Sequence, residues 1–228
     1  MTFHRFISPA SAVCVLAIAA GVASSAQAAV VFSTSQGAFL AANSGLTLET
    51  FESANVAAGT DTAVAGPISS ATNNAAFAPG DLAAGFVLTT TDGGVYVGRD
   101  VGGNPGAVVS SNLFAENMNI GFGPAVTAIG IDLLQWFGND GGWALEIYDT
   151  ADTLLGSFAT AAGSFVGITS DVAIGRLFLN KPDSGAVIDN LRFGSKGASV
   201  PEPSTLLLVG LAGLALRTAS RGRATLKA

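Results

Sequence analysis

The segment Trp143-Ala144-Leu145-Glu146-Ile147-Tyr148 decides the fold class, because its large apolar side chains fall on every second residue. In an extended chain this period places the tryptophan, the leucine and the isoleucine on one face and the remaining residues on the other. The turn-forming sequence Asn139-Asp140-Gly141-Gly142 precedes the segment, and an acidic turn at 149–152 follows it. The pattern predicts a strand that is buried on one side and belongs to an antiparallel sheet.

Similar strand-like runs, separated by turn signals every 8–12 residues, occupy the chain from residue 85 to residue 193. They cover residues 85–89, 94–97, 125–133, 154–158, 165–168, 174–179 and 186–193. Upstream, residues 34–43 predict one short helix that begins at a serine or threonine cap, with Gly45 just past its end. Residues 53–85 are rich in Ala, Gly, Asn and Thr and indicate a long irregular region.

Between residue 43 and residue 199 no helical pattern of normal length occurs, and no internal repeat is present in the sequence. The chain is therefore predicted to be mainly β, with about eight to ten antiparallel strands forming a jelly-roll-like β-sandwich. The sandwich domain is expected to span residues 29–199, a length that suffices for one sizeable domain.

The N-terminal residues 1–28 have the layout of a secretory signal peptide. A basic start is followed by an apolar stretch and by Ala26-Gln27-Ala28, so cleavage is expected after Ala28. The only cysteine, Cys14, and the only histidine, His4, lie in this segment. The mature body would therefore lack disulfides, thiolate chemistry, catalytic triads that use histidine, and the usual cysteine and histidine zinc sites.

The C-terminal residues 200–228 form a separate unit. Val200-Pro201-Glu202-Pro203 is expected to be stiff and extended, because each proline fixes its own φ and restricts the residue before it. Residues 204–216 predict an apolar helix capped by Ser204, and four basic residues follow between positions 217 and 227. The apolar run is shorter than the roughly 17–25 residues that cross a bilayer, which favours a transient membrane handle over a permanent anchor.

This arrangement resembles the PEP-CTERM sorting signal of Gram-negative bacteria, with Pro201, Glu202 and Pro203 as the signature residues. The resemblance implies an exported protein that an exosortase and the secretion machinery process, inserted transiently in the inner membrane through its C-terminal helix. It also implies a destination at the cell surface or in the extracellular polysaccharide matrix, in a biofilm or exopolysaccharide setting.

The body between the two ends is strongly acidic. Residues 29–199 hold 15 of the 16 acidic side chains but only five of the ten basic ones, which gives a net charge near −10. This charge argues against binding to nucleic acid, which proteins recognise through positive charge. It is compatible with a soluble surface protein or with the uptake of hard cations.

The body also resembles PEP-CTERM domains that have a jelly-roll sandwich like that of carbohydrate-binding modules. The pieces that carry this resemblance are Thr50-Phe51-Glu52, expected on the first long strand, the segments 121–132 and 165–168, and the closing Ile188-Asp189-Asn190-Leu191-Arg192-Phe193-Gly194. Such sandwiches often hold one structural calcium, and the resemblance implies Glu52 and Asp189 as its carboxylate ligands. In the alternative, Asp189 lies at a strand edge and faces solvent or pairs with Arg192.

The sequence offers few candidates for chemistry. Trp136 and Asp140, beside the acidic turn, could contact a carbohydrate by stacking and hydrogen bonding. The carboxylate pairs Glu146/Asp149 and Asp132/Glu146 could serve a glycosidase, although no motif selects either pair. The sequence therefore favours a non-enzymatic exported protein, with a carbohydrate-binding module as the first alternative and a carbohydrate-active enzyme as the second.

Overall fold

The computed structural model describes residues 28–91, 93–111, 117–135, 142–161, 163–180 and 186–197. The predicted signal peptide, apart from Ala28, and the predicted C-terminal helix lie outside these residues. The described part of the chain contains no helix that is long and apolar enough to cross a membrane.

The structure confirms the predicted class, because two antiparallel sheets enclose one hydrophobic core and only one helix accompanies them in the described residues. The described residues form 14 strands, more than the eight to ten that the sequence predicted. The first sheet has eight strands in the order β1-β12-β9-β14-β7-β6-β3, and β2 pairs with β14 beside this path. These strands are β1 (Val30–Ser33), β2 (Thr47–Glu49), β3 (Thr60–Ala65), β6 (Gly94–Val101), β7 (Asn104–Ser111), β9 (Ala128–Leu134), β12 (Ser164–Ser170) and β14 (Val187–Gly194).

The second sheet has six strands in the order β11-β10-β13-β8-β5-β4. Its members are β4 (Ile68–Ser69), β5 (Phe86–Thr90), β8 (Met118–Phe122), β10 (Trp143–Asp149), β11 (Leu154–Thr160) and β13 (Ile174–Asn180). The deciding segment is β10, and its tryptophan, leucine and isoleucine are at most 1 % exposed. They share the core with Ile129, Ile131 and Leu133 from β9 of the other sheet, so the period-two pattern reports burial between two sheets.

The prediction of an irregular region at 53–85 was wrong in part, since this region contains β3 and β4. Strand β3 reads Thr-Asp-Thr-Ala-Val-Ala and buries only Val64, because it lies at the edge of its sheet. An edge strand can be held by its backbone ladder to β6 with little apolar signal in its sequence. The placement of Thr50-Phe51-Glu52 on a long strand was also wrong, because β2 ends at Glu49 and Phe51 has a φ of 57°.

The short helix is confirmed as α1 (Gln36–Ala42), which begins after the N-cap Ser35, whose hydroxyl accepts the Ala38 N–H. Its one buried side chain, Phe39, lies over two glycines on the outer face of the eight-stranded sheet. A Cβ atom on Gly167 would come within 2.4 Å of the Phe39 ring, and one on Gly130 within 2.9 Å. Helix α1 therefore packs into a depression of the sheet that exists because residues 130 and 167 are glycines.

Substitution of Phe39 tests this docking. Phe39→Ala removes the only buried side chain of α1, and we expect the free energy of unfolding to fall by about 3 kcal/mol in urea titrations. Leu40→Ala is the matched control, because Leu40 is 37 % exposed on the same helix and should change stability by less than about 0.5 kcal/mol. Equal losses from the two variants would contradict the docking.

Candidate functional site

Two aspartates face each other on adjacent strands of the eight-stranded sheet. Asp189 of β14 is the register partner of Asp132 of β9, and both side chains are half-buried. Their chain neighbours Ile131, Leu133 and Ile188 lie in the core, so the alternation of the strands directs the two carboxylates to the outer face. Like charges that lie directly opposite each other destabilise a sheet. The two aspartates therefore need a partner that offsets the repulsion between their carboxylates.

Asn190 provides most of the hydrogen bonding to this pair. Its side-chain Nδ2 donates to Asp132 Oδ2 at 2.9 Å and to Asp189 Oδ2 at 3.0 Å, and its backbone N–H donates to Asp189 Oδ1 at 2.6 Å. Asn190 can bridge the two carboxylates because its backbone is left-handed, with a φ of 48°, at a bulge in β14. Asparagine tolerates this conformation better than most residues.

The bulge also marks a change of neighbour along β14. Strand β7 pairs with β14 only at Val187 and Ile188, whereas β2 pairs with it from Leu191 onward. The aspartate pair therefore lies where one neighbouring strand gives way to the next, and Glu52 follows shortly after β2. The fold thus brings the early carboxylate of the predicted calcium pair toward the late one.

Glu52 is already engaged by protein donors. Its Oε2 lies 2.8 Å from Arg99 Nη1, and its Oε1 accepts the Ala107 N–H at 2.8 Å. Arg99 also donates to the carbonyl oxygens of Glu52, Ala54 and Val56, which ties the segment after β2 onto β6 and β7. A Cβ atom on Gly106 would lie 2.3 Å from Glu52 Oε1, so glycine is needed at 106 for this approach.

The environment raises the pKa of Asp189 to about 6. Burial is the main cause, and the negative charges of Asp132 and Glu52 add to it, whereas the Asn190 N–H and the charge of Arg192 act in the opposite direction. Glu52, the other residue that the resemblance implied for calcium, is near enough for its charge to raise the pKa of Asp189, although its carboxylate is bonded to Arg99 and to the Ala107 N–H. The structure adds Asp132, which the sequence offered only as a catalytic candidate, because cross-strand register is not visible in one strand's sequence.

The donor set suits a hard cation in its chemistry, since Asp132 and Asp189 offer only carboxylate oxygens. In the described residues, however, no three His, Cys, Asp or Glu side chains converge in a way that could hold a metal ion. A calcium ion at the two aspartates would therefore depend on backbone or solvent oxygens for the rest of its ligands. The alternative places Asp189 at a strand edge, where it faces solvent or pairs with Arg192. Strand β14 lies inside its sheet, but at Asp189 it pairs with β9 alone, and the side chain is half-buried on the outer face.

The structure separates the members of one of the two candidate carboxylate pairs. Asp132 lies on the outer face of the eight-stranded sheet and Glu146 on the outer face of the six-stranded sheet, so the core separates them. Glu146 accepts a 2.5 Å hydrogen bond from the Tyr148 hydroxyl, which raises the pKa of that tyrosine. Asp149 Oδ1 accepts the N–H groups of Ala151 and Thr153 and so closes the turn that follows β10.

Arg176 organises the outer face of the six-stranded sheet. Its guanidinium carbon lies 3.8 Å from the centre of the Tyr148 ring, a cation–π arrangement. Its Nε and Nη2 donate to Asp152 Oδ1 at 3.0 and 2.6 Å, and its Nη1 donates to Asn119 Oδ1 at 3.0 Å. Trp136 and Asp140, the residues predicted to contact carbohydrate, lie outside the described residues.

The two ends of the described domain meet at Asp171. Its backbone N–H donates to the Ala29 carbonyl at 3.2 Å, and its carboxylate pairs with the Lys196 ammonium group. The Lys196 N–H also donates to Thr127 Oγ1 at 2.7 Å. Residues 29 and 196 therefore leave the sandwich at the same end.

Comparison with known proteins identifies the segment that follows. Residues 199–224 match the family described as the PEP-CTERM protein-sorting motif, which confirms the resemblance of the tail. The motif implies an exported protein of Gram-negative bacteria that an exosortase sorts after transient anchoring in the membrane. No curated protein matches the chain. Pro201, Glu202 and Pro203 lie in the matched segment and outside the described residues.

The raised pKa of Asp189 predicts how stability depends on pH. Between about pH 4 and pH 6 the folded protein keeps a proton that the unfolded chain has released, so stability falls as the pH rises through this window. Because Asp189 is partly solvated, we expect Asp189→Asn to gain only about 1–2 kcal/mol over the parent between pH 4 and pH 7. Urea titrations with a chelator measure this gain, and parallel pH profiles of the two proteins would disprove the shift.

Proposed function

We propose that this protein is a non-enzymatic exported protein that an exosortase-type system delivers to the cell surface or to the extracellular polysaccharide matrix. The observation that carries the proposal is the sorting motif at 199–224, which begins two residues after the last described residue of the sandwich. A secretory layout at residues 1–28 supports export. The sandwich is then the cargo that the motif delivers.

The arrangement of the two ends supports this role. Ala29 and Lys196 are held at one end of the sandwich through Asp171, so a membrane-inserted tail would keep that end next to the membrane. The opposite end and both outer sheet faces would then point away from the lipid. This orientation suits a protein that presents a surface to the extracellular matrix while its tail is processed.

A non-enzymatic role is supported by the side chains available. The body has neither histidine nor cysteine after residue 28, which excludes Ser-His-Asp triads and Cys-His pairs. The remaining carboxylates with a stated partner are committed to structural contacts, as with Glu52 on Arg99 and Asp149 in its turn. The pair Asp132/Glu146 is divided by the core.

The sorting motif can be tested by substituting its signature residues in the producing cell. We expect the double variant Pro201→Ala and Glu202→Ala to remain in the membrane fraction with its tail attached, because the processing enzyme no longer recognises it. The parent should lose residues 206–216 on its way to the surface, as mass spectrometry of the mature protein would show. Asp61→Ala, an exposed change in the body, is the control and should be sorted normally.

Two results would contradict this proposal. If the double variant reached the surface as efficiently as the parent, the motif would not be the sorting signal of this chain. If the mature surface protein still carried residues 206–216, the tail would be a permanent anchor and not a transient handle.

We also propose that one calcium ion stabilises the sandwich at Asp189, with Asp132 and with Glu52 close by. The specific observation that favours this site is the pair of opposed carboxylates, which in the described structure share one neutral amide between them. A divalent cation would relieve the repulsion between the two aspartates, and it would connect strands β9 and β14.

Calcium addition to the chelated chain should raise its melting temperature. At about a hundredfold excess over Kd, binding adds about 2.7 kcal/mol, which is equivalent to about 5 °C or more for a domain of this size. The increase should disappear in Asp189→Asn and in Asp132→Asn, and it should persist in Asp61→Asn. No heat in a calorimetric titration and no rise in melting temperature would rule out the site.

A further inference from the structure

A trough crosses the outer face of the six-stranded sheet near the end where the termini leave. It consists of two adjoining open clefts of about 500 and 280 Å³, which share Phe122 and Gly175 in their walls. These volumes are comparable with those of small-molecule sites. We call this feature the sheet trough, and it is separate from the aspartate pair, which lies on the other sheet.

Two glycines that the backbone does not require form the floor of the sheet trough. A Cβ atom on Gly121 would meet nothing closer than 3.8 Å, and one on Gly123 nothing closer than 4.0 Å. Neither residue has a left-handed φ. Glycine in the interior of a strand weakens it and often marks a place where another molecule approaches closely. Gly121 lies within β8, directly between Val87 of β5 and Arg176 of β13.

The walls combine apolar surface with fixed hydrogen-bonding groups. Val87, which is 45 % exposed, supplies apolar contact on one side, whereas the Phe122 ring packs inward against Phe193. Arg176 and Asp152 stand on the other side, held by their ion pair and by the contact of Arg176 with Tyr148 and Asn119. The hydroxyls at the rim belong to Ser69, Ser70 and Thr150.

The charges of the trough indicate a neutral ligand. Among the described residues that line it, the one cation, Arg176, pairs with Asp152, and the other acid, Asp149, is bonded to backbone N–H groups. The body as a whole is near −10, so an anionic polymer would be repelled. Sugar rings present an apolar C–H face and a rim of hydroxyls, which match an apolar floor bordered by carboxylates, amides and hydroxyls.

We propose that the sheet trough binds a neutral polysaccharide, with sugar rings lying over Gly121 and Gly123 and their hydroxyls bonded to the Asp152–Arg176 side. This inference rests on the proposed delivery to the polysaccharide matrix and assigns the contact to one surface. It differs from the contact predicted at Trp136 and Asp140, because neither residue is among the described residues that line the trough.

The test fills the trough without disturbing the fold. Gly121→Leu places a side chain where the neighbours leave room, so its melting temperature should be no lower than that of the parent. In affinity electrophoresis through the producing cell's own purified neutral extracellular polysaccharide, we expect this variant to bind at least about tenfold more weakly. Gly123→Leu should act in the same way at the adjoining position.

Gly37→Leu is the matched control, because Gly37 is exposed on α1 with nothing within 4 Å of its Cβ position. This variant adds the same side chain on the helix that packs on the other sheet, and it should bind the polysaccharide as the parent does. If the parent and the Gly121→Leu variant are retarded equally, the protein binds polysaccharide, but not at the sheet trough. If the parent is retarded only by alginate, an anionic polysaccharide, or by neither polymer, the protein does not bind neutral polysaccharide and the inference is wrong. The outcome of the sorting test does not depend on this result.

Discussion

The position of β14 is the constraint on which the rest of the structure depends. Val187–Gly194 is the last strand of the sandwich in chain order, yet it lies inside the eight-stranded sheet and pairs with β9, β7 and β2. Its Ile188, Leu191 and Phe193 belong to the core. The sheet therefore cannot be completed until the chain has reached residue 194, a few residues before the sorting motif begins. The strand that completes the fold and the sorting motif therefore lie close together in the sequence.

The same strand concentrates negative charge on the outer face. A straight strand would have continued one ladder, but the bulge at Asn190 ends the pairing with β7 and starts the pairing with β2. This break allows Glu52, held by Arg99 and by the Ala107 N–H, to approach Asp189. The pKa of Asp189 rises mainly because partial burial opposes its ionisation, and the two further carboxylates add to this effect. The negative charge at Asp189, the bulge at Asn190 and the change of neighbouring strand therefore all occur at one point of β14.

Much of the fold could be predicted from local patterns. The alternation in β10, the helix cap at Ser35 and the acidic turn at 149–152 all depend on residues close in sequence, and each was confirmed. Strand β3 was missed because an edge strand buries little, and its stability comes from a ladder with β6 that is distant in sequence. The segment around Glu52 was misplaced because its conformation is set by contacts with Arg99 and not by a strand ladder.

The candidate sites also differ in whether local sequence or long-range packing defines them. The sequence by itself determined the sorting motif at 199–224, because an enzyme reads such a segment as a linear order of residue types. It also determined the β-sandwich class, because a period of two is a local property of the strand. Only the tertiary structure decided that Asp132 faces Asp189, that the core separates Asp132 from Glu146, and that Gly121 opens a trough. Each of these depends on strand register and on which face of a sheet meets solvent, and long-range packing sets both.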